Sequence, residues 1–317
     1  MSKSVIVVGT GNAALCAALA ALEGGARVTL LEKADKSLSG GNTKYTAGAM
    51  RFAYDGADDL LPLLRNPEDP RVKRADFGSY TTEKFANDLL GFNDGRPLSE
   101  EQEALVHQSG ATLRWLASHG VKFEPIYSRQ SFEKDGRHVF WGGLTLAAEN
   151  EGVGLFDMEL AAVERLGGTV RYNSAVTGLV TDAGLVCGVQ IGQERLLADA
   201  VILACGGFEA NGALRVKHMG ENWEAAKVRG TPHNTGDGLL MALELGAADY
   251  VTLAATRRRW ICIWPILAIL SCHRVNARTI ERFPISWGSC SMPMARALWM
   301  RAPIFAITPM RNMARPF

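Results

Sequence analysis

A glycine motif near the N-terminus, with an acidic residue behind it, could bind a dinucleotide. The motif is Gly9-Thr-Gly11-Asn-Ala-Ala14, between the apolar run SVIVV and the helix-forming run AALCAALAALE. Gly9 would permit the tight turn, Gly11 the close approach of a pyrophosphate, and Ala14 the packing of helix on sheet. Glu32 ends the next apolar run, ARVTLL, where a carboxylate can accept hydrogen bonds from ribose. The pattern predicts a strand–helix–strand dinucleotide site, although such a turn can also lack a ligand.

A second glycine-rich loop, SGGNTKYTAGAMR at residues 39–51, follows Glu32 closely. Loops of small and hydroxyl residues offer several backbone N–H groups to an anionic or polar ligand. Nicotinamide enzymes do not need such a loop, whereas a flavin must be held from several sides. The loop therefore favours FAD over NAD, unless GGN is a simple turn.

These motifs resemble the fumarate reductase/succinate dehydrogenase flavoprotein family and, within it, the tricarballylate dehydrogenases. The likeness runs from residue 4 to about residue 250. It implies FAD as the cofactor, with contacts to the pyrophosphate, the adenosine ribose and the flavin edge in turn. The residues implied are Gly9, Gly11, Asn12, Ala13 and Ala14; then Glu32 and Lys33; then Gly40, Gly41, Asn42, Thr43 and Gly48.

Two later segments carry the same resemblance. It implies that the backbone at Val176 lies against the adenine and that ACGG forms a second glycine turn beside the cofactor. The turn TGDG opens the amphipathic segment GLLMALELGA, so that N–H groups and a positive dipole end face outward. The positions implied here are Ala204, Gly206, Gly207, Thr235, Gly236 and Asp237. Asp237 could instead be a plain helix N-cap.

The fold class that we predict is α/β: a Rossmann-like FAD-binding domain with a β-meander insertion, helical segments and an incomplete substrate (capping) domain. Residues 55–130 carry helical patterns, with a capping box at Ser99 and Gln102. Residues 136–143 and 149–160 carry glycine turns before another helix, and residues 167–211 are typical of a meander of short strands that returns to the sheet. We expect residues 1–250 to form the FAD-binding domain, with its C-terminal part missing.

Composition bounds the function further. The N-terminus runs straight into a strand, and no stretch approaches the ~18 apolar residues that span a bilayer, so we expect a cytoplasmic protein without a transmembrane segment. The six cysteines show no CxxC pair and no metal-ligand spacing with histidine, so we expect no metal. We expect a small di- or tricarboxylate substrate, no nucleic acid, and an electron partner that the sequence does not identify.

The C-terminal segment, residues 251–317, differs from everything before it. It holds ten arginines, no lysine, one acidic residue (Glu281) and one glycine (Gly288). As a membrane anchor, WICIWPILAIL is too short and lacks helical periodicity. A genuine extra domain is disfavoured by the scarcity of turn residues. Read one base earlier with free synonymous codons, residues 289–314 can encode a segment containing GARFVDEG. We therefore predict an out-of-frame tail, from either a sequencing error or a real frameshift.

The predicted frameshift bears on catalysis. Oxidising a saturated polycarboxylate requires hydride removal, a base for the neighbouring proton and cations for the carboxylates. The resemblance implies that the proton-transfer arginine lies in a GxRFVDEG segment, so Arg296 and Arg301 do not inherit the role. We name no catalytic residue. His138, Trp141, Arg229 and His233 are weaker candidates for substrate contacts. A fumarate reductase-like or 3-ketosteroid dehydrogenase-like enzyme, or a non-catalytic flavin-binding fragment, are the alternatives.

Overall fold

The computed structural model describes residues 2–91, 93 and 96–247, and four short strands further along the chain. The described residues form two compact units. Residues 2–41 and 163–247 belong to the first unit, and residues 42–162 to the second. The predicted boundary near residue 250, and all of the predicted out-of-frame tail except those four strands, lie outside the described residues.

A mostly parallel sheet forms the centre of the first unit. β1 (Ser4–Val8) pairs in parallel with β2 (Arg27–Leu31) on one side and with β13 (Ala200–Leu203) on the other. β9 (Thr169–Arg171) extends the sheet beyond β2, and β14 (Leu267–Ser271) and β17 (Ile304–Ile307) extend it beyond β13. In this register the last residues of β1, β2 and β13 are neighbours, so the loops that follow all leave from one edge.

Helices and a small antiparallel sheet complete the first unit. The helices are α1 (Asn12–Glu23), α8 (Gly212–Met219), α9 (Asp237–Glu244) and a 3-10 turn (Glu221–Trp223); the meander is β10 (Gly178–Asp182), β11 (Leu185–Ile191) and β12 (Glu194–Leu197). The core joins these parts, because Ile6 and Val201 of the large sheet, Val189 of the meander and Met241 of α9 pack in one buried cluster. Burial of these apolar side chains stabilises the sheet edge that carries the glycine turns.

The second unit is built from short strands and helices. Its sheets are β3 (Ala49–Met50), β8 (Leu146–Ala148) and β5 (Phe123–Pro125), then β4 (Ala75–Asp76), β7 (Arg137–Phe140) and β6 (Ser131–Lys134), and the pair β15 (Gly288–Ser289) and β16 (Trp299–Met300). Its helices are α2 (Ala57–Leu60), α3 (Pro70–Lys73), α4 (Thr82–Leu90), α5 (Glu100–Ser118), α6 (Tyr127–Gln130) and the greater part of α7 (Glu151–Arg165). Its 3-10 turns are Leu61–Leu63 and, except for the first residue, Gly41–Tyr45. Within the described part of the chain, no helix is both long and apolar enough to cross a bilayer.

The predicted α/β class is confirmed, as is the capping box at the start of α5. The Ser99 hydroxyl accepts the Gln102 N–H at 3.3 Å, and the Gln102 side chain accepts the Ser99 N–H at 3.0 Å. Two details differ from the prediction. β9 belongs to the parallel sheet and not to the meander, since it pairs with β2. Gly152 lies inside α7 instead of in a turn before it. Packing accounts for the glycine there, because the carbonyl oxygen of Thr43 leaves no room for a β-carbon.

Candidate functional site

The first glycine turn connects β1 to α1. Gly9 adopts φ +110°, donates its N–H to the Leu31 carbonyl at 2.8 Å, and passes so close to Ala204 that a β-carbon would overlap the carbonyl oxygen. Gly11 is the N-cap of α1, in an extended conformation and without a side-chain cap, and the first turn of α1 holds no acidic residue. Uncapped N–H groups at a helix N-terminus suit an anion. Ala14 is fully buried, as the small residue in the motif requires.

Glu32 follows β2 directly and is buried, with 7% of its surface exposed. One carboxylate oxygen accepts the Ala34 N–H at 2.9 Å, and the other accepts the hydroxyl of Thr10. Thr10 also accepts the Gly40 N–H at 3.0 Å, so its hydroxyl joins three loops: the glycine turn, the end of β2 and the second glycine-rich loop. Thr10 was not predicted from the sequence, although its position between two required glycines was a signal.

The chain segment that follows β9 lies beside Glu32. Ser174 donates its N–H to the Glu32 carbonyl at 2.8 Å, and Asn173 donates its N–H to the Ala34 carbonyl at 3.0 Å. Val176, two residues further on, is buried in the core of the first unit. The proposed adenine-side residue and the proposed ribose-side residue are therefore close in the fold, although 144 positions of sequence numbering, from Glu32 to Val176, separate them.

The second glycine turn, residues 204–207, follows β13. Ala204 donates its N–H to the Val8 carbonyl at 2.9 Å, which fixes the turn beside the first one. Gly206 adopts φ +75°, and the side-chain amide of Asn234 occupies the space where a β-carbon would stand. That amide donates to the Glu209 carboxylate at 2.6 Å. Asn234 and Glu209 are both buried, and their pairing was not predicted, because no local pattern pairs residues 25 positions apart.

The TGDG turn lies next to the second glycine turn. Gly236, with φ +86°, is the N-cap of α9 and donates its N–H to the Gly207 carbonyl at 3.0 Å. Asp237 is the first residue of the helix, so the alternative that it is the N-cap is wrong. Its carboxylate instead accepts the ammonium of Lys33 at 2.8 Å and the hydroxyl of Thr235 at 2.7 Å. Four loops at one sheet edge are thus tied to one another by specific contacts.

Three of the predicted cofactor residues, Asn42, Thr43 and Gly48, belong to the second unit. Asn42 and Thr43 lie in the 3-10 turn Gly41–Tyr45, and Thr43 is buried. Gly48 adopts φ +64°, and a β-carbon on it would lie 2.7 Å from the backbone of Glu151. Gly41 belongs to the first unit, and a β-carbon built on it would lie 4.0 Å from the α-carbon of Gly11.

The weaker candidates for substrate contacts are scattered. His138 and Trp141 lie in the second unit, where His138 packs edge-on against Tyr127 and Trp141, 65% exposed, stacks on Phe132. Arg229 and His233 lie in the first unit; Arg229 is exposed, and His233 is half-buried beside the TGDG turn. The described contacts do not bring these four residues together, and their roles stay predictions.

Cys205 lies within the second glycine turn, and its sulfur packs against Gly238 in the first turn of α9. Burial, and to a lesser extent the Asp237 carboxylate, raise the pKa of the Cys205 thiol to about 12. The thiol is therefore protonated and uncharged at neutral pH. It acts in this turn as a small packing residue rather than as a nucleophile.

A comparison with known families identifies the cofactor. The model of the FAD binding domain family matches residues 4–257, which is most of the chain. The chain belongs to this family. FAD is therefore its cofactor, and the geometry described above fits it: the N-cap of α1 has no side-chain cap, its first turn has no acidic residue, and Glu32 is buried.

Individual FAD-binding relatives are reductases. The chain is 29% identical over 259 residues to the probable fumarate reductase Ifc3 of Shewanella frigidimarina, covering 78% of this chain and 39% of that protein. It is 30% identical over 259 residues to the urocanate reductase of Eggerthella lenta, covering 77% and 38%. Among solved structures, a flavocytochrome c3 fumarate reductase superposes with a TM-score of 0.59 at 25% identity, covering 78% and 41%. The chain thus spans about two-fifths of these relatives.

Proposed function

We propose that this FAD-binding chain is part of a flavin-dependent oxidoreductase that acts on a carbon–carbon bond of a small di- or tricarboxylate. The observation that carries the proposal is the convergence of the first glycine turn, Glu32, the ACGG turn and the TGDG turn at one sheet edge. The names of the relatives, fumarate and urocanate reductases, support a carboxylate substrate. Tricarballylate and cis-aconitate are the first substrate pair to test, because the sequence resembles the tricarballylate dehydrogenases.

The residues of the candidate site have defined tasks in this proposal. The N–H groups at the start of α1 hold the pyrophosphate, and the Glu32 carboxylate accepts hydrogen bonds from the ribose. The turns at residues 204–207 and 235–237 hold the flavin. Asn42, Thr43 and Gly48 stay predicted flavin contacts on the family resemblance alone. Bound FAD supplies hydride transfer, a chemistry that no protein side chain provides. We assign proton transfer to none of the described residues.

Flavin binding is tested on the purified chain of 317 residues. We expect yellow protein with about one FAD per chain, and quenching of flavin fluorescence when FAD is added to the apoprotein. Folded protein, judged by circular dichroism, that neither carries nor binds FAD would contradict the proposal. Activity is then assayed with tricarballylate, fumarate and a 3-ketosteroid, each with an artificial electron acceptor or donor. The compound that is turned over identifies the substrate class.

A second candidate, a non-catalytic flavin-binding fragment, is favoured by the composition of residues 251–317. Ten arginines against one acidic residue, with a single glycine, are not typical of a folded enzyme domain. We propose that this segment is translated out of frame, and that a cytoplasmic parent enzyme carries a capping domain in its place. Re-sequencing the DNA around codons 248–254 tests this. A one-base slip is expected, and a confirmed reading frame would refute it.

The corrected chain provides the activity test. If the frameshift is real, a chain with the restored reading frame should turn over the carboxylate substrate. The 317-residue chain should bind FAD without turnover. Turnover by the printed chain at the same rate would show that residues 251–317 are not detrimental. In that case the fragment interpretation is wrong and the enzyme interpretation stands.

A further inference from the structure

Lys33 connects two loops that lie far apart in the sequence. Its ammonium nitrogen is 2.7 Å from the Thr235 hydroxyl and 2.8 Å from the Asp237 carboxylate, across 202 and 204 residues of chain. The Thr235 hydroxyl in turn donates to the other Asp237 oxygen at 2.7 Å. The three side chains therefore form a closed ring of hydrogen bonds between the end of β2 and the start of α9. We call it the Lys33 ring.

The Lys33 ring uses the polar groups that a ligand would otherwise meet. Both carboxylate oxygens of Asp237 and the Thr235 hydroxyl bond inside the ring. Neither Thr235 nor Asp237 caps α9, whose N-cap is Gly236 without a side-chain bond. The ring thus keeps the Thr235 and Asp237 side chains from capping α9, and the N-terminal end of a helix that its own side chains do not cap suits an anionic or polar ligand.

Charge gives Lys33 a second task. A carboxylate on the first residue of a helix is favourable toward the helix dipole, but it repels an anionic ligand at the same N-terminus. The Lys33 ammonium neutralises the Asp237 carboxylate through a charge-assisted hydrogen bond. Lys33 is only 25% exposed and Asp237 41%, so solvent weakens this interaction less than it weakens a fully exposed pair.

We infer that Lys33 is a positioning residue for the TGDG turn and not a direct FAD ligand. It holds the first turn of α9 against the end of β2 and cancels the Asp237 charge before the cofactor arrives. This inference rests on the flavin-binding function proposed above. It differs from the contact with the adenosine ribose that the family resemblance implies for Lys33.

The test compares Lys33→Met with Lys33→Arg and with Lys36→Met. Lys36 is an exposed lysine of the same loop and is the matched control. We expect Lys33→Met to weaken FAD binding roughly tenfold, measured by quenching of flavin fluorescence. The variant loses a partly buried ion pair and the ordering of the TGDG turn that this pair provides. Lys33→Arg should recover most of the affinity, and Lys36→Met should change it by less than about twofold.

Amide hydrogen exchange separates positioning from direct contact. In apoprotein of Lys33→Met, peptides covering residues 233–240 should exchange faster, while those of β1 and α1 should not change. If affinity falls but exchange in the apoprotein is unchanged, Lys33 is a direct ligand and the inference is wrong. If the wild-type chain binds no FAD, the proposed function fails, and the exchange result still decides whether the Lys33 ring orders the turn.

Charge neutralisation has its own readout. Leaving Asp237 unpaired should lower the midpoint potential of bound FAD in Lys33→Met, because a nearby negative charge disfavours reduction. The double variant Lys33→Met/Asp237→Asn should restore the potential. A purely structural role for Lys33 would leave the midpoint potential unchanged. An equal potential in wild type and Lys33→Met would therefore refute this part of the inference.

Discussion

The side-chain amide of Asn234 lies directly over the α-carbon of Gly206, so that a β-carbon on Gly206 would stand 2.5 Å from the amide oxygen. The same amide donates to the buried Glu209 carboxylate at 2.6 Å. Glycine at position 206 is therefore required for two reasons: its backbone has φ +75°, and the Asn234 amide takes its side-chain space. The second glycine turn is shaped by Asn234, which follows Gly206 by 28 positions.

We expect Gly206→Ala to destabilise the protein by about 3 kcal/mol and to abolish retention of FAD. Backbone strain accounts for ~1–2 kcal/mol, and displacement of Asn234 adds the remainder. Gly184→Ala is the matched control, since Gly184 has φ +78° but open space around it. Urea unfolding measures the stability of the two variants, and flavin absorbance measures how much FAD each retains. Equal losses in both variants would show that the Asn234 contact contributes nothing.

The first glycine turn gives a second matched pair. Gly9→Ala places a methyl group on the Ala204 carbonyl oxygen and strains φ +110°, so we expect a loss of ~3 kcal/mol or more, or misfolding. Gly25→Ala, at φ +79° on the exposed turn after α1, meets no atom and should cost ~1–2 kcal/mol with FAD retained. Normal flavin binding by Gly9→Ala would contradict the close approach of β1 and β13.

The Cys205 thiol provides a prediction on pH. Its pKa of about 12 keeps it protonated, so iodoacetamide should modify the Cys205 peptide at pH 8 at least ~100-fold more slowly than glutathione. The raised pKa also lowers stability as pH rises from about 9 towards 12, because only the unfolded chain releases the proton in this range. Cys205→Ala should lose less stability than wild type between pH 8 and 10.5. An equal loss would contradict the pKa.

The capping box of α5 can be tested without reference to the cofactor. Ser99→Ala removes the hydroxyl that accepts the Gln102 N–H, and we expect a loss of ~1 kcal/mol. Ser118→Ala, near the other end of the same helix, removes an exposed hydroxyl bonded to the Trp115 carbonyl and should cost less than ~0.5 kcal/mol. Chemical unfolding measures both values, and FAD content should stay unchanged. A reversed order would show that the box does not stabilise α5.

Local patterns predicted the elements of the nucleotide site well. β1, α1 and β2 follow from an apolar run, an alanine-rich run and the glycines between them, because these signals lie within a few residues of one another. The partners that tie the loops together could not be predicted. Lys33 and Asp237 are 204 residues apart, and Asn234 is linked to Glu209 only through the fold. Gly152 in α7 was wrongly predicted to mark a turn. Glycine is needed there because the neighbouring Thr43 backbone leaves no room for a β-carbon, and not because the chain turns at this residue.

The central position of β1 has a consequence for synthesis on the ribosome. The N–H of Ser4 bonds to the Asp199 side chain at 2.7 Å, 195 residues further along the chain, and β1 pairs with β13 over four registered residues. A nascent chain therefore carries an unpaired, apolar strand edge until residues 200–203 have been synthesised. Exposed strand edges of this kind bind chaperones or other chains, so production of this protein should depend more on chaperone supply than on final stability.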